Sequence, residues 1–99
     1  MDSAMDWDIR PRRAPEIELR EVVDGFVAYD PRRDRIHFLN PTAAFVLESC
    51  DGELRAGEIP ALVAAGFGLD KPPVEDVEAC LATLLREGLL VTAEGSNRR

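Results

Sequence analysis

The sequence predicts an α+β domain in which a three-stranded antiparallel sheet precedes three helices, a winged helix-turn-helix-like arrangement. Residues 16–39 contain three short apolar runs separated by turn residues, and residues 40–90 contain three stretches of helical spacing with start and stop signals. The chain has 99 residues and is 45% hydrophobic, which fits one globular domain.

The three strands are predicted from alternating apolar residues and the turns between them. The runs are EIELREVV over 16–23, FVAYD over 26–30 and IHFL over 36–39. Asp24-Gly25 is a typical hairpin turn, and Asp30-Pro31 followed by RRDR forms the second turn. Three short strands joined by tight turns indicate an antiparallel meander.

The first helix is predicted to begin after Asn40, whose side chain can cap it, with Pro41 at the first helical position. Asp51-Gly52 is its expected end. One apolar face follows the helical period: Ala43, Val46, Leu47 and Cys50.

The second helix is predicted over roughly 57–65, with Ile59, Leu62 and Val63 on its apolar face. Pro60 fits only in the first turn of that helix. Gly66 and Gly68 are expected to end it.

The third helix is predicted over roughly 74–87. Gly88 should end it, with Leu89 folding back onto its last turn and a short extended piece at Leu90-Val91. One apolar stripe runs along the helix, with Cys80 at its margin: Val74, Val77, Leu81, Leu84 and Leu85.

The chain ends are predicted to be flexible. Residues 1–15 are polar, contain two prolines and lack periodicity, which predicts a flexible N-terminal arm. Trp7 is the exception in this arm, because an aromatic side chain could dock on the domain or on a partner. Residues 92–99 read as a polar tail. The recognition domain itself is expected over residues 16–91.

Charge and hydropathy limit the classes of function. Residues 16–91 carry 15 acidic and 7 basic side chains, a net charge of −8, which repels phosphate backbones and attracts basic partners. No apolar run reaches the roughly 20 residues of a membrane span, and the N-terminus lacks the apolar core of a signal peptide. We therefore expect a cytoplasmic protein that binds neither membrane nor nucleic acid.

No catalytic or metal-binding pattern is present in the sequence. His37 is the one histidine, and its spacing from Cys50 and Cys80 is not that of a zinc site. Both cysteines are expected to be small buried apolar residues. We expect no enzymatic activity, no cofactor and no metal.

Three kinds of function stay open on physical grounds. A winged-helix nucleic-acid binder fits the order of elements, but the third helix carries several acidic residues and one basic residue, Arg86, so its charge would repel phosphates. A structural subunit could dock on a larger enzyme. A peptide-binding module could use the edge of the strand IHFL beside a helix, where backbone bonds give affinity and side-chain pockets give selectivity.

The chain resembles the PqqD family through three motifs in order: LN-x-TAA…C-DG, then EI, then DV…L-x-x-L-x-x-x-GLL. Members of this family are peptide chaperones that recognise the precursors of ribosomally synthesised and post-translationally modified peptides (RiPPs). The resemblance covers about residues 16–91. The matching residues are Leu39, Asn40, Thr42, Ala43, Ala44, Cys50, Asp51, Gly52, Glu58, Ile59, Asp76, Val77, Leu81, Leu84, Gly88, Leu89 and Leu90.

This resemblance implies a function and a site. Such proteins bind the leader segment of a precursor peptide and deliver it to a modifying enzyme, often a radical SAM enzyme. Independently of the resemblance, this chain is expected to be a monomer or a homodimer, because a second copy could close an unpaired sheet edge. The leader adds as an antiparallel strand beside the third strand and lies against the third helix. Carried onto this chain, the peptide-binding residues are Arg35, Ile36, His37, Phe38, Leu39, Asp76, Cys80, Thr83, Leu84 and Glu87.

The chain departs from the family pattern in three places. Arg55-Ala56-Gly57 replaces the usual Ser or Thr cap of the second helix, and Leu47 and Cys80 stand where the family often has aromatic residues. The first change should weaken the start of the second helix. Cys80 should alter the pocket and hence the preferred ligand side chain.

Overall fold

The computed structural model describes residues 5–92 and has five strands, three α-helices and one short 3₁₀ turn. In chain order these are β1 (Pro11–Arg13), β2 (Glu18–Val22), β3 (Gly25–Asp30), β4 (Arg35–Leu39), α1 (Pro41–Ser49), a 3₁₀ turn (Ala56–Glu58), α2 (Ile59–Phe67), α3 (Val74–Arg86) and β5 (Leu90–Thr92).

The predicted three-stranded antiparallel sheet is confirmed, with strand order β2-β3-β4. Residues Val23 and Asp24 form the loop between β2 and β3, because Val22 pairs with Gly25. On β4, His37 pairs with Ala28 and Phe38 with Val27. Since alternate residues face opposite sides, His37 and buried Ala28 lie on the helix side of the sheet.

The three predicted helices are confirmed together with several of their end signals. The Asn40 side chain accepts the Ala43 N–H at 2.8 Å, and Pro41 is the first residue of α1. Gly68 ends α2 in the left-handed conformation. At the end of α3, Gly88 is left-handed and buried Leu89 donates its N–H to Leu84 O at 2.9 Å, which is a Schellman end.

Two residues that were predicted to lie on apolar, buried helix faces are exposed in the structure. Val74 and Leu62 are exposed at 47% and 37%, whereas Val77, Leu81 and Val63 are fully buried. Val74 is the first residue of α3, and neither Val74 nor Leu62 belongs to the buried core. The core lies between the three helices and the inner face of the sheet.

The second sheet corrects the prediction that the folded part begins at residue 16. Strand β1 pairs with β5, with Pro11 opposite Thr92 and Arg13 opposite Leu90. Pro11 and Ala14 are buried. The sequence of this strand has no alternating apolar pattern, so it could not be predicted from the sequence. The strand is extended because it pairs with β5. Residue 92 thus lies in a strand, and residues 1–4 and 93–99 of the predicted ends fall outside the described residues.

The N-terminal segment also caps the 3₁₀ turn that leads into α2. Ile9 O accepts the Ala56 N–H at 2.8 Å, and Trp7 O accepts the Gly57 N–H at 2.9 Å. The Glu58 carboxylate accepts the Arg55 N–H at 2.8 Å. Distant backbone carbonyls thus accept N–H groups that a Ser or Thr side chain would otherwise satisfy, and the expected weakening of the helix start stays a prediction.

Candidate functional site

The outer edge of β4 is one of the two open edges of the three-stranded sheet, the other being that of β2, and it is the edge beside α3. β4 pairs with β3 on one side, and within residues 5–92 no strand pairs with its other side. Its unpaired N–H and C=O groups are therefore available to an added strand. Arg35 lies at one end of this edge and Leu39 at the other.

A groove of about 580 Å³, which we call the α3 groove, runs between this edge and α3. The α3 wall consists of residues three or four positions apart, so they form one stripe on the helix surface. The groove is lined by Phe38, Leu39, Asn40, Thr42, Ala43, Asp76, Ala79, Cys80, Thr83 and Leu84.

The structure brings together six of the ten predicted site residues in this groove: Phe38, Leu39, Asp76, Cys80, Thr83 and Leu84. Arg35, Ile36 and His37 lie on the β4 edge without lining the groove, and Glu87 lies at the end of α3. Their predicted role as peptide-binding residues stays a prediction.

Four lining residues were missed by sequence reasoning: Asn40, Thr42, Ala43 and Ala79. The first three belong to the start of α1, which meets the end of β4. Ala79 lies three residues after Asp76 on α3, and this spacing is the one signal that could have identified it. All four have short side chains.

Arg33 connects the turn before β4 to the end of α3. Its Nη1 donates to Glu87 O at 2.9 Å. Gly88 has no side chain, and a Cβ there would collide with the Arg33 guanidinium. The same arginine approaches Asp30 Oδ2 with its Nε at 4.0 Å. These contacts fix the distance between β4 and the last turn of α3.

Asp30 is a fully buried carboxylate at the turn between β3 and β4. Its Oδ1 accepts the Arg32 N–H at 3.0 Å, which confirms the predicted role of this residue in turn geometry. Its Oδ2 has no hydrogen-bond partner, and neither does the buried Nε2 of His37. Neither residue lines the α3 groove.

The two cysteines are free thiols that differ in position. Cys50 is 3% exposed and follows the last residue of α1, whereas Cys80 is half-buried at the groove wall. Burial raises the pKa of Cys50 to about 12, with a smaller contribution from Cys80, and burial raises the pKa of Cys80 to about 11. Both thiols are therefore protonated at neutral pH, which fits the expected apolar role.

No group of three or more His, Cys, Asp or Glu side chains within residues 5–92 could hold a metal ion. In the same part of the chain, no helix is long and apolar enough to cross a membrane. The α3 groove thus offers an open strand edge, a small-residue wall and one carboxylate, Asp76. Such a site can bind an extended chain through its backbone.

Comparison with known proteins gave one family. The family model described as coenzyme PQQ synthesis protein D (PqqD) matches residues 25–90. This range contains β3, β4, all three helices and every residue that lines the α3 groove. No curated protein and no solved structure matched the chain.

Proposed function

Because the chain belongs to the PqqD family, we propose that it binds the leader segment of a ribosomally synthesised precursor peptide and presents it to a modifying enzyme in the cytoplasm. Members of this family are non-catalytic partners that bind such precursor peptides for peptide-modifying enzymes. For this chain we propose that the leader adds as an antiparallel strand to β4 and lies against α3, and that the enzyme is of the radical SAM class.

The observation that carries this proposal is the open β4 edge facing α3 across the groove. A strand added to β4 continues the order β2-β3-β4 and satisfies backbone groups of the edge. Its alternate side chains then point into the α3 groove, and those between them point to the outer face of the sheet.

The α3 groove also supports a preference for particular side chains. Ala79, Cys80 and Thr83 form a wall of small residues, which leaves room for a bulky apolar side chain of the leader. Asp76 is the charged side chain among the lining residues, so a Lys or Arg of the leader is favoured near it. These preferences are proposed from the shape and charge of this chain.

The nucleic-acid alternative is opposed by the charge of α3. Glu75 and Asp76 are exposed in its first turn, and Arg86 is the one basic residue within the helix. Phosphate contacts give nucleic-acid binding much of its affinity, so this surface disfavours it. A mobility-shift assay at low salt should show no retarded complex.

Two exposed alanines of α3 provide a matched test of the proposal. Ala79 lines the groove and Ala82 does not. The Ala79→Trp side chain should fill the groove and raise the Kd of a leader by at least about tenfold, a loss of about 1.4 kcal/mol. Ala82→Trp should leave the Kd unchanged.

The measurement uses isothermal titration with synthetic leaders of precursor-like peptides encoded near this gene. Both variants are first compared with the wild type by circular dichroism to show that they fold. Equal affinities for the wild type and Ala79→Trp would contradict the proposed site. Backbone amide shifts should concentrate at residues 35–39 and 76–87 on titration, and shifts confined to other regions would contradict strand addition.

A further inference from the structure

A second pocket adjoins the α3 groove at the turn between β2 and β3. We call it the hairpin pocket; its volume is about 560 Å³, within the range of small-ligand sites. It is lined by Val22, Val23, Asp24, Gly25, Phe26, Phe38, Leu39 and Asn40.

The hairpin pocket exposes large apolar side chains that the fold does not cover. Val23 is fully exposed, Phe38 is 80% exposed and Val22 is 42% exposed. Isolated exposed apolar residues are common, but these three line one concavity. Covering them would therefore be favourable for a bound apolar group.

The floor of this pocket is held by a close backbone approach. A Cβ on Gly25 would lie 2.9 Å from Leu39 O, so no larger residue fits there without a shift of the backbone. Gly25 begins β3 and lies beside Leu39, since Phe26 pairs with Leu39. The absence of a side chain at Gly25 therefore lets the start of β3 approach the end of β4 closely at this pocket.

The hairpin pocket and the α3 groove form one continuous surface. Both are lined by Phe38, Leu39 and Asn40, which lie at the C-terminal end of β4. An extended chain that leaves the groove at this end passes directly over the hairpin pocket. Among residues 5–92, the charged side chains lining the combined surface are Asp24 and Asp76, both carboxylates.

We propose that the hairpin pocket is a second binding subsite, which takes a bulky apolar side chain of the same peptide with a Lys or Arg beside it. The inference rests on the proposed strand addition to β4. A strand antiparallel to β4 has its N-terminal end at Leu39, so the residues that enter the hairpin pocket precede the added strand in the peptide. The carboxylate of Asp24, which lines the hairpin pocket, is complementary to the basic residue.

The test uses a peptide selected on the full-length wild-type protein from a phage-displayed library of random 16-residue sequences. Hydrogen exchange of the bound peptide identifies the segment whose amides become protected. Removing the residues before that segment should raise the Kd by about tenfold or more, the effect of losing one buried apolar side chain.

Matched variants separate the subsite from general effects on the fold. Val23→Ser should raise the Kd of the full peptide by several-fold, because apolar contact area is lost, and should leave the Kd of the truncated peptide unchanged. Val74→Ser, at another exposed valine outside both cavities, should alter neither. This thermodynamic cycle assigns the interaction to the residues before the strand.

The charge is tested in the same way. Asp24→Asn keeps a residue suited to the turn and should weaken binding by about threefold at low salt, with the difference lost at high salt. Asp70→Asn, in the loop before α3, should have no effect.

The results distinguish the two proposals. If truncation and Val23→Ser leave the Kd unchanged while amide shifts still concentrate at 35–39 and 76–87, the hairpin subsite is refuted and strand addition stands. If the loss follows truncation at the other end of the peptide, the hairpin subsite is likewise refuted. If no selected peptide perturbs 35–39 and 76–87, strand addition and the subsite both fail.

Discussion

Removing residues 1–9 should destabilise the domain, although the sequence predicts that they belong to a flexible arm. The deletion removes the carbonyls of Trp7 and Ile9, which accept the Gly57 and Ala56 N–H groups in the 3₁₀ turn that leads into α2. It also removes three partly buried side chains that pack against the core, those of Met5, Trp7 and Ile9.

The size of the effect follows from these contacts. Each backbone hydrogen bond contributes about 0.5–1.5 kcal/mol, so the two contribute about 1–3 kcal/mol. Complete burial of a large apolar side chain contributes about 1.5–3 kcal/mol, and half-burial of Met5, Trp7 and Ile9 adds about 3 kcal/mol together. The expected loss is about 4–6 kcal/mol, a large part of the roughly 5–15 kcal/mol that stabilises a typical domain.

Urea unfolding followed by far-ultraviolet circular dichroism measures this loss. Trp7→Ala retains the backbone carbonyls and should cost only about 1–2 kcal/mol. A loss below about 1 kcal/mol for the deletion would refute the assigned role of residues 5–9. A deletion of residues 1–15 removes β1 as well, so loss of partner binding in that variant would not by itself show that Trp7 docks on a partner.

Three further perturbations test the core, a turn and the groove wall. Leu81 is 0% exposed, so Leu81→Ala should lower the free energy of unfolding, measured by urea titration, by about 2–5 kcal/mol. Leu62 is 37% exposed, so Leu62→Ala should lower it by less than about 1 kcal/mol. Equal losses would contradict the assignment of Leu81 to the core. Hydrogen bonds from two backbone N–H groups lower the pKa of Asp51. The stability that its charge adds above about pH 4 is therefore lost as the pH falls through the lowered pKa. In thermal unfolding, Asp51→Asn should lose less stability between pH 6 and pH 2 than the wild type, and identical losses would contradict the argument. Burial raises the pKa of Cys80 to about 11, so its alkylation by iodoacetamide should be slow at pH 8 and accelerate towards pH 11. A peptide that covers the groove should slow the reaction, and an unchanged rate with bound peptide would be evidence against occupation of the groove. Cys50, which is 3% exposed, should react more slowly than Cys80 at every pH.

Local signals in the sequence predicted most of the helices and the sheet. Asn40 and Pro41 mark the start of α1 and the Gly88-Leu89 pair marks the end of α3, because capping depends on residues that are close in the chain. The sheet followed from short runs and turns for the same reason. These elements then set the position of the β4 edge.

Contacts between distant residues could not be predicted in this way. Strand β1 is extended because it pairs with β5, and Arg33 covers the end of α3 through a bond to Glu87 O, 54 residues away. Thr42 and Ala43 line the α3 groove only because the start of α1 packs beside α3. Small residues carry no pattern that distinguishes a groove wall from a packed helix face.

Hydrogen exchange of the β4 backbone amides tests the central proposal most directly. A leader that adds as a strand should slow exchange at those amides of residues 35–39 that point to the open edge, by at least about tenfold, while exchange in β2 is unchanged. If a leader binds and the β4 amides exchange at the rates of the free protein, the peptide does not extend the sheet and strand addition is contradicted.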